Sequence, residues 1–484
     1  MNSNKKKVLV VGSGLSAYGT CLALIEKNNL LIDVLDIGLE NNYPNQPNDP
    51  VPNSKPINGN YYPYGINDKR WKEKLISERI TSSHSYGGFS KVYSGSILRP
   101  SDKDLIDWPR NSIPKDIDYK KVIESLNIEN HNDEIDEFFL LNRKTKKENN
   151  KNIYLGQSKI AYSYDEFNKC MIPFDSSTEF TKWHLDKKIN YMKGRRVLFI
   201  KQKDKGLEVN IAEINKENIS KMYYDFVYLA CGCVNTTAIV DRSTMGKGIR
   251  KYSIKSCPGL LGLHVNIDFI NIFKRFKYRK KENYNYQLCT HFLEQKNILT
   301  SNLWSHSQIG LINNLIFDFL EKKVNKILFT FFLFTKDLFK FSNTIFHSKL
   351  GSNAILLSEV NDSQIIRIKE NKSSVNLFNK LSVTFAFLLK IRTLKLIPIP
   401  LMDMIGNYLK GNQLGGWHYG GTMPMRENPI KKTDCFPNGL LKGIKNTYIV
   451  DSSSFPSIPG STIALLTMAN AYRIARKSTY LKKK

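Results

Sequence analysis

Small residues and carboxylates near both ends of the chain are spaced for chemistry on a nucleotide. Gly12-Ser13-Gly14-Leu15-Ser16-Ala17 follows the apolar run Val8 to Val11 and opens a helical pattern that continues to about Lys27. A turn of this type serves a pyrophosphate: Gly12 permits the tight turn, Gly14 admits the phosphates against the backbone, and Ala17 lets helix and strand pack closely. The helix start adds free N–H groups and a positive dipole. A second apolar run, Leu31 to Ile37, carries Asp36 near its end, close to the offset of roughly 20 residues at which a carboxylate accepts hydrogen bonds from ribose hydroxyls. Strand, glycines, helix, strand and acid in this order predict a dinucleotide site without distinguishing FAD from NAD. Near the other end, Asn446 to Val450 predicts a strand with Asp451 at its carboxyl end, where α/β sheets place ligand-binding groups. Pro456 and Pro459 then bend the chain before a helix expected from about Ile463 to Lys477, whose first turn can face an electron-rich ligand. Asp451 also fits a strand-end helix cap.

Five blocks set these ends in a pattern. Gly87-Gly88-Phe89-Ser90-Lys91-Val92-Tyr93-Ser94-Gly95 is followed by Asp107-Trp108-Pro109, then His418-Tyr419-Gly420-Gly421-Thr422-Met423-Pro424-Met425, then Tyr448-Ile449-Val450-Asp451-Ser452-Ser453-Ser454-Phe455-Pro456, and last Thr467-Met468-Ala469-Asn470-Ala471-Tyr472-Arg473-Ile474-Ala475. In this order the blocks resemble the glucose/methanol/choline (GMC) family of FAD-dependent oxidoreductases, most closely the bacterial branch associated with polysaccharide biosynthesis. The resemblance covers both ends well and the middle poorly. It implies that Gly87, Gly88 and Ser90 line the pyrophosphate and isoalloxazine, and that Asp451 bonds the ribityl or phosphate part of FAD. It also implies that Phe226 to Gly232 closes the FAD domain, and that the segment Arg196 to Ile200 lays its backbone along adenine at Val197.

The same resemblance places His418 where the family keeps its base. Flavin-dependent alcohol oxidation needs a group to take the hydroxyl proton, and a neutral imidazole suits that task. The second active-site position, usually His or Asn, falls on Thr462 when Arg473 anchors the alignment, or on Ser461 with a shift of one. Thr462 can hydrogen-bond a substrate oxygen but cannot carry positive charge. Where some members attach FAD covalently through His, this chain has Val92, and His84 precedes Gly87, so non-covalent FAD is expected.

The elements that must position these residues follow from length and composition. The 484 residues predict two or three domains, and 41% apolar with 24% charged residues is an ordinary globular mix. The expected fold class is α/β: a Rossmann-like FAD-binding domain assembled from 1–110, 191–255 and 415–484, plus an α+β substrate domain with an antiparallel sheet from 111–190 and 256–414. Asn41 to Gly65 and Lys144 to Asn152 predict surface loops. Leu311 to Leu350 and Leu381 to Met404 mix aromatic or apolar residues with lysines; they read either as amphipathic helices over the substrate sheet or as membrane-surface helices.

Lys plus Arg at 72 against Asp plus Glu at 44 leaves a net charge of +28. The composition of an AT-rich genome, an anionic membrane surface and a polyanion each account for it. Nucleic acid is disfavoured, because no zinc spacing, RNA-binding aromatic signature or heptad-coupled basic region is present. Seven scattered cysteines without a C-x-x-C fit reduced thiols, Cys231 and Cys233 being small buried residues. No apolar run reaches the length of a spanning helix. A cytoplasmic protein is expected, with possible attachment to the inner face of the membrane. Its expected partners are a small alcohol or saccharide and an electron acceptor of unknown identity. Two other functions share these motifs: a non-redox flavoprotein lyase or isomerase, and a glycan-pathway binding protein that has lost its chemistry.

Overall fold

The computed structural model describes residues 5–40, 55–57, 60–62, 67–68, 73–77, 80–93, 95, 97, 99–100, 102–126, 153–157, 161–165, 170–204, 206–213, 219–256, 259–266, 286–292, 301–307, 340–348, 353–361, 364–370, 396–398, 418–459 and 462–478. Its centre is a five-stranded sheet in the order Asn190–Met192, Leu30–Leu35, Lys6–Val11, Phe226–Leu229, Thr447–Ile449, with every neighbouring pair parallel. Val8, Leu9 and Val10 are successive and all fully buried, which is how a strand covered on both faces reads. The second predicted strand ends at Leu35, so Asp36 stands just past its carboxyl end.

The helix Leu15–Ile25 packs on the last helix, Ala464–Ser478, with backbones in close approach: a Cβ on Gly19 would overlap the Met468 carbonyl. Helix Asp116–Ser125 closes the same layer, where Tyr18 Oη donates to Ser125 Oγ at 2.8 Å and Arg476 pairs with Asp118 at 2.9 Å. Arg473 is fully buried and donates to the carbonyls of Asn111 and Pro437 and to Asn470 Oδ1. Tyr18 stacks on Trp183 of helix Ser176–Leu185.

A three-stranded antiparallel meander, Arg195–Lys203, Gly206–Glu213 and Ile219–Tyr224, follows the edge strand. Two short hairpins and two six-stranded sheets accompany them among the described residues. One joins Tyr419–Gly420, Gly248–Ser256, Asn353–Val360, Gln364–Glu370, Glu73–Ile76 and Asn67–Asp68, so it draws strands from segments on both sides of the expected domain boundaries. Helix Cys233–Thr244 is fixed to it through buried Asp241, which accepts from Tyr252 Oη and Ser358 Oγ, both at 2.6 Å. The other sheet is wholly antiparallel and includes Lys340–Ser348. That end of the aromatic and basic stretch is therefore a strand, because it is paired along both edges; 311–339 and nearly all of 381–404 lie outside the described residues. Within the expected loop after Asn41, Lys55–Ile57 and Asn60–Tyr62 form a short hairpin, and 144–152 is not described. Among the described residues no helix is long and apolar enough to cross a membrane, and Cys21, Cys231, Cys233 and Cys435 are free thiols.

Helix propensity alone favours Ala over Gly inside a helix by about 1 kcal/mol. Gly19→Ala is nevertheless expected to destabilise the protein by a net of about 1 to 3 kcal/mol, read as a lower urea midpoint with an unchanged slope. A stabilised variant would show that the two helices can part.

Candidate functional site

The glycine turns, Asp36, Asp451 and the ends of three strands meet along the carboxyl edge of the parallel sheet. Gly12 has φ +102°, and a Cβ there would lie 2.8 Å from the Ala230 carbonyl oxygen, so the turn demands glycine. Gly14 is the extended N-cap of the first helix and provides no side-chain cap, which leaves first-turn N–H groups for a ligand. Ala17 is fully buried behind it.

Gly87 and Gly88 are left-handed, at φ +86° and +57°, and a Cβ on Gly88 would come within 3.1 Å of Gly14 Cα. The two glycine turns thus face each other at closest approach. Ser13 bridges them: its hydroxyl accepts from Gly87 N–H at 2.8 Å and donates to Asp36 Oδ2. Tyr191 Oη also donates to Asp36 Oδ2, at 3.2 Å. Burial outweighs these hydrogen bonds and pushes the Asp36 carboxyl up to about 6. The Asp36 carbonyl accepts from Arg195 N–H at 2.9 Å, so the strand bearing Val197 starts beside this acid. Val197 is buried opposite Ile211, and the ladder shifts register between Val197 and Phe199.

Ser90 is buried and holds the loop together. Its hydroxyl donates to the Gly87 carbonyl at 2.6 Å and accepts from Ser176 N–H at 3.1 Å. Ser176 Oγ in turn donates to the Ser13 carbonyl at 2.7 Å. Asp175 caps the Ser176–Leu185 helix through Ser177 N–H at 2.9 Å and pairs with Lys91.

Asp451 is 1% exposed, with both oxygens engaged: Oδ1 accepts from Ser453 N–H, and Oδ2 from Gly232 N–H and Thr236 Oγ1. It therefore caps the turn Ser452–Ser454 and the start of helix Cys233–Thr244 together, and burial holds its carboxyl above the usual range. The same turn is zipped to the His418 block, with Gly421, Met423 and Met425 donating their N–H groups to the carbonyls of Ser452, Ser453 and Ser454 at 2.8 to 2.9 Å. Gly420 lies so close that a Cβ would overlap the Ser452 carbonyl. His418 is half-buried, with Nδ1 turned out of solvent. Thr462 is 5% exposed, just ahead of the last helix. The loop before it is held by Ser457 Oγ, which donates to Asp107 Oδ1 at 2.7 Å and accepts from Trp108 Nε1 at 3.2 Å.

Asp175, Ser176, Tyr191, Thr236 and Asn235 are structural members of this edge that no motif named, and Ser13 was named only as the residue between two glycines. The run Asp175-Ser176-Ser177-Thr178-Glu179 carries a helix-start signature that could have found the cap. Tyr191 stands in a three-residue edge strand and has no such signal.

No family model and no curated protein matches the chain. Solved structures do. Pyridoxine 4-oxidase from Mesorbium loti is similar over 98% of this chain and 99% of its own, with a TM-score of 0.57 at 12% identity. An FAD-dependent oxidoreductase from Chaetomium thermophilum is similar over 97% and 98%, with a TM-score of 0.56 at 11% identity. The chain shares the fold of these two proteins, a five-stranded parallel sheet together with a separate antiparallel one. The site suits FAD on its own terms: an uncapped helix start beside two facing glycine turns fits a diphosphate. Ser82 Oγ, both His84 nitrogens and Asn235 Oδ1 are buried without a hydrogen-bond partner among the described residues, which leaves polar capacity for a ligand.

Because the folded protein holds the Asp36 proton up to about pH 6, against 3.8 ordinarily, stability without cofactor falls as pH rises from about 4 to about 6. At 1.36 kcal/mol per unit the loss is up to about 3 kcal/mol. Urea titrations across this window should show that slope in the wild type and lose most of it in Asp36→Asn.

Proposed function

We propose that the chain is an FAD-dependent oxidoreductase of the GMC type that oxidises a primary or secondary alcohol. The observation that carries this reading is the convergence of four sequence blocks, around Gly14, Gly88, His418 and Asp451, on one edge of a nucleotide-binding sheet. Two solved structures of the same fold, one named an oxidase and the other an FAD-dependent oxidoreductase, support it.

FAD would be held by the N–H groups following Gly14, by the Gly87-Gly88 turn, by Asp36 at a sugar hydroxyl and by the backbone near Val197; when bound, it supplies the two-electron acceptor for the carbinol C–H. Asp451 locks Gly232 and the Ser452–Ser454 turn in place. His418 takes the hydroxyl proton. Its Nδ1 is turned out of solvent. Thr462 orients the substrate oxygen as a neutral hydrogen-bonding group. With Val92 at the attachment position, the cofactor is dissociable. The setting is cytoplasmic, which the scattered cysteines without a C-x-x-C support, and the substrate is a saccharide or lipid-linked saccharide, which the GMC branch resemblance supports.

Anaerobic mixing of the flavin-loaded protein with a panel of alcohols and sugars tests the reading through loss of flavin absorbance. His418→Ala should retain bound FAD and reduce it about 100-fold or more slowly. An undiminished rate in the variant would remove His418 as the base, and no bleaching by any alcohol would favour a non-redox or binding role.

A further inference from the structure

Ser82, His84 and Asn235 belong to no motif of the chain. His84 is 3% exposed and Ser82 4% exposed, and the two, two residues apart, precede the Gly87-Gly88 turn. Four of their polar atoms, Ser82 Oγ, His84 Nδ1, His84 Nε2 and Asn235 Oδ1, have neither solvent contact nor a hydrogen-bond partner among the described residues. Leaving one buried polar atom unpaired costs about 1 to 3 kcal/mol. A cluster of them carries a cost that the folded chain recovers only when something pairs with it.

The backbone fixes where that something must be. The His84 carbonyl accepts from Leu39 N–H at 2.9 Å, just beyond Asp36. The Ser83 carbonyl accepts from Asn235 Nδ2 at 3.3 Å, and Asn235 lies in the first turn of helix Cys233–Thr244. Three residues after His84, Gly87 donates to Ser13. The segment therefore spans the sheet edge from the Asp36 strand to the Gly232 turn, across the two glycine loops. A Cβ at Gly232 would meet no atom within 4 Å.

Chemistry narrows the ligand. Burial, with Arg196 alongside, lowers the His84 pKa to about 3, so the ring is neutral and offers one donor and one acceptor. Ser82 offers both, and Asn235 Oδ1 accepts only. A neutral set of mixed donors and acceptors matches hydroxyl groups. A phosphate is disfavoured here, because the Asp451 carboxylate already occupies the anion position at Gly232.

We infer that Ser82, His84 and Asn235 receive sugar hydroxyls of the bound dinucleotide, from its adenosine ribose or its ribityl chain. The inference rests on the FAD reading above. His84→Phe keeps the ring volume and removes both nitrogens, and Ser82→Ala removes one hydroxyl. Free of cofactor, both variants should melt at or above the wild-type temperature, since each discards unpaired buried polar atoms. Both should bind FAD more weakly, His84→Phe by about tenfold or more, and gain less thermal stability when FAD is added. ADP serves as the second probe: equal weakening toward ADP assigns the contact to the ribose, and weakening toward FAD alone assigns it to the ribityl chain. Unchanged FAD affinity in both folded variants would overturn the inference, and should His84→Phe fail to fold, Ser82→Ala alone decides. A wild-type protein that takes up neither FAD nor ADP would instead remove the cofactor reading on which the inference rests.

Discussion

Two glycine turns, one after the first strand and one more than seventy residues later, meet so closely that a single methyl on Gly88 would press into Gly14. The rest of this edge of the parallel sheet depends on this approach. It lets the Ser13 hydroxyl reach both Gly87 N–H and the Asp36 carboxylate, and it sets Ser176 against the Ser13 carbonyl. The helix Ser176–Leu185 is thereby registered on the loops. Asp36, the two glycine turns and the helix that braces them are one hydrogen-bonded unit rather than separate features.

The C-terminal half of the site uses the same economy. Replacing Asp451 by an apolar residue would release Gly232, Thr236 and Ser453 together. The alternating bonds from Gly421, Met423 and Met425 to the serine turn carry the position of His418 back to that carboxylate. His418 is thus positioned by backbone pairing from a turn whose own placement is set by one buried acid. Lys255 reinforces the junction, packing its stem over Gly421 and donating to the Pro456 carbonyl.

The parallel strands, the Gly12 turn, Asp36 and the last helix were legible in the sequence because each is a local pattern: a β-branched run, a glycine spacing, an acid at a strand end, a small-residue helix. Asp451 was legible as two alternatives, a ligand-facing acid and a cap, and the structure shows it with both oxygens on protein donors. Ser90 was expected against the flavin, and its hydroxyl lies inside the loop on Gly87 and Ser176. Tyr191, Ser176, Asn235 and the carbonyl acceptors of Arg473 could not be read beforehand. Their partners lie far along the chain, and no local propensity encodes such a meeting. His84 was visible only as a histidine before a glycine pair; its significance lies in what it fails to touch, which only coordinates show.

The central claim is that this edge holds one dissociable FAD. The most direct measurement is a titration of the purified protein with FAD, following the flavin band and the flavin released by acid. The account predicts saturation at about one FAD per chain and complete release of free FAD, consistent with Val92 at the attachment position. A folded protein that neither carries flavin on purification nor takes it up on titration would contradict it.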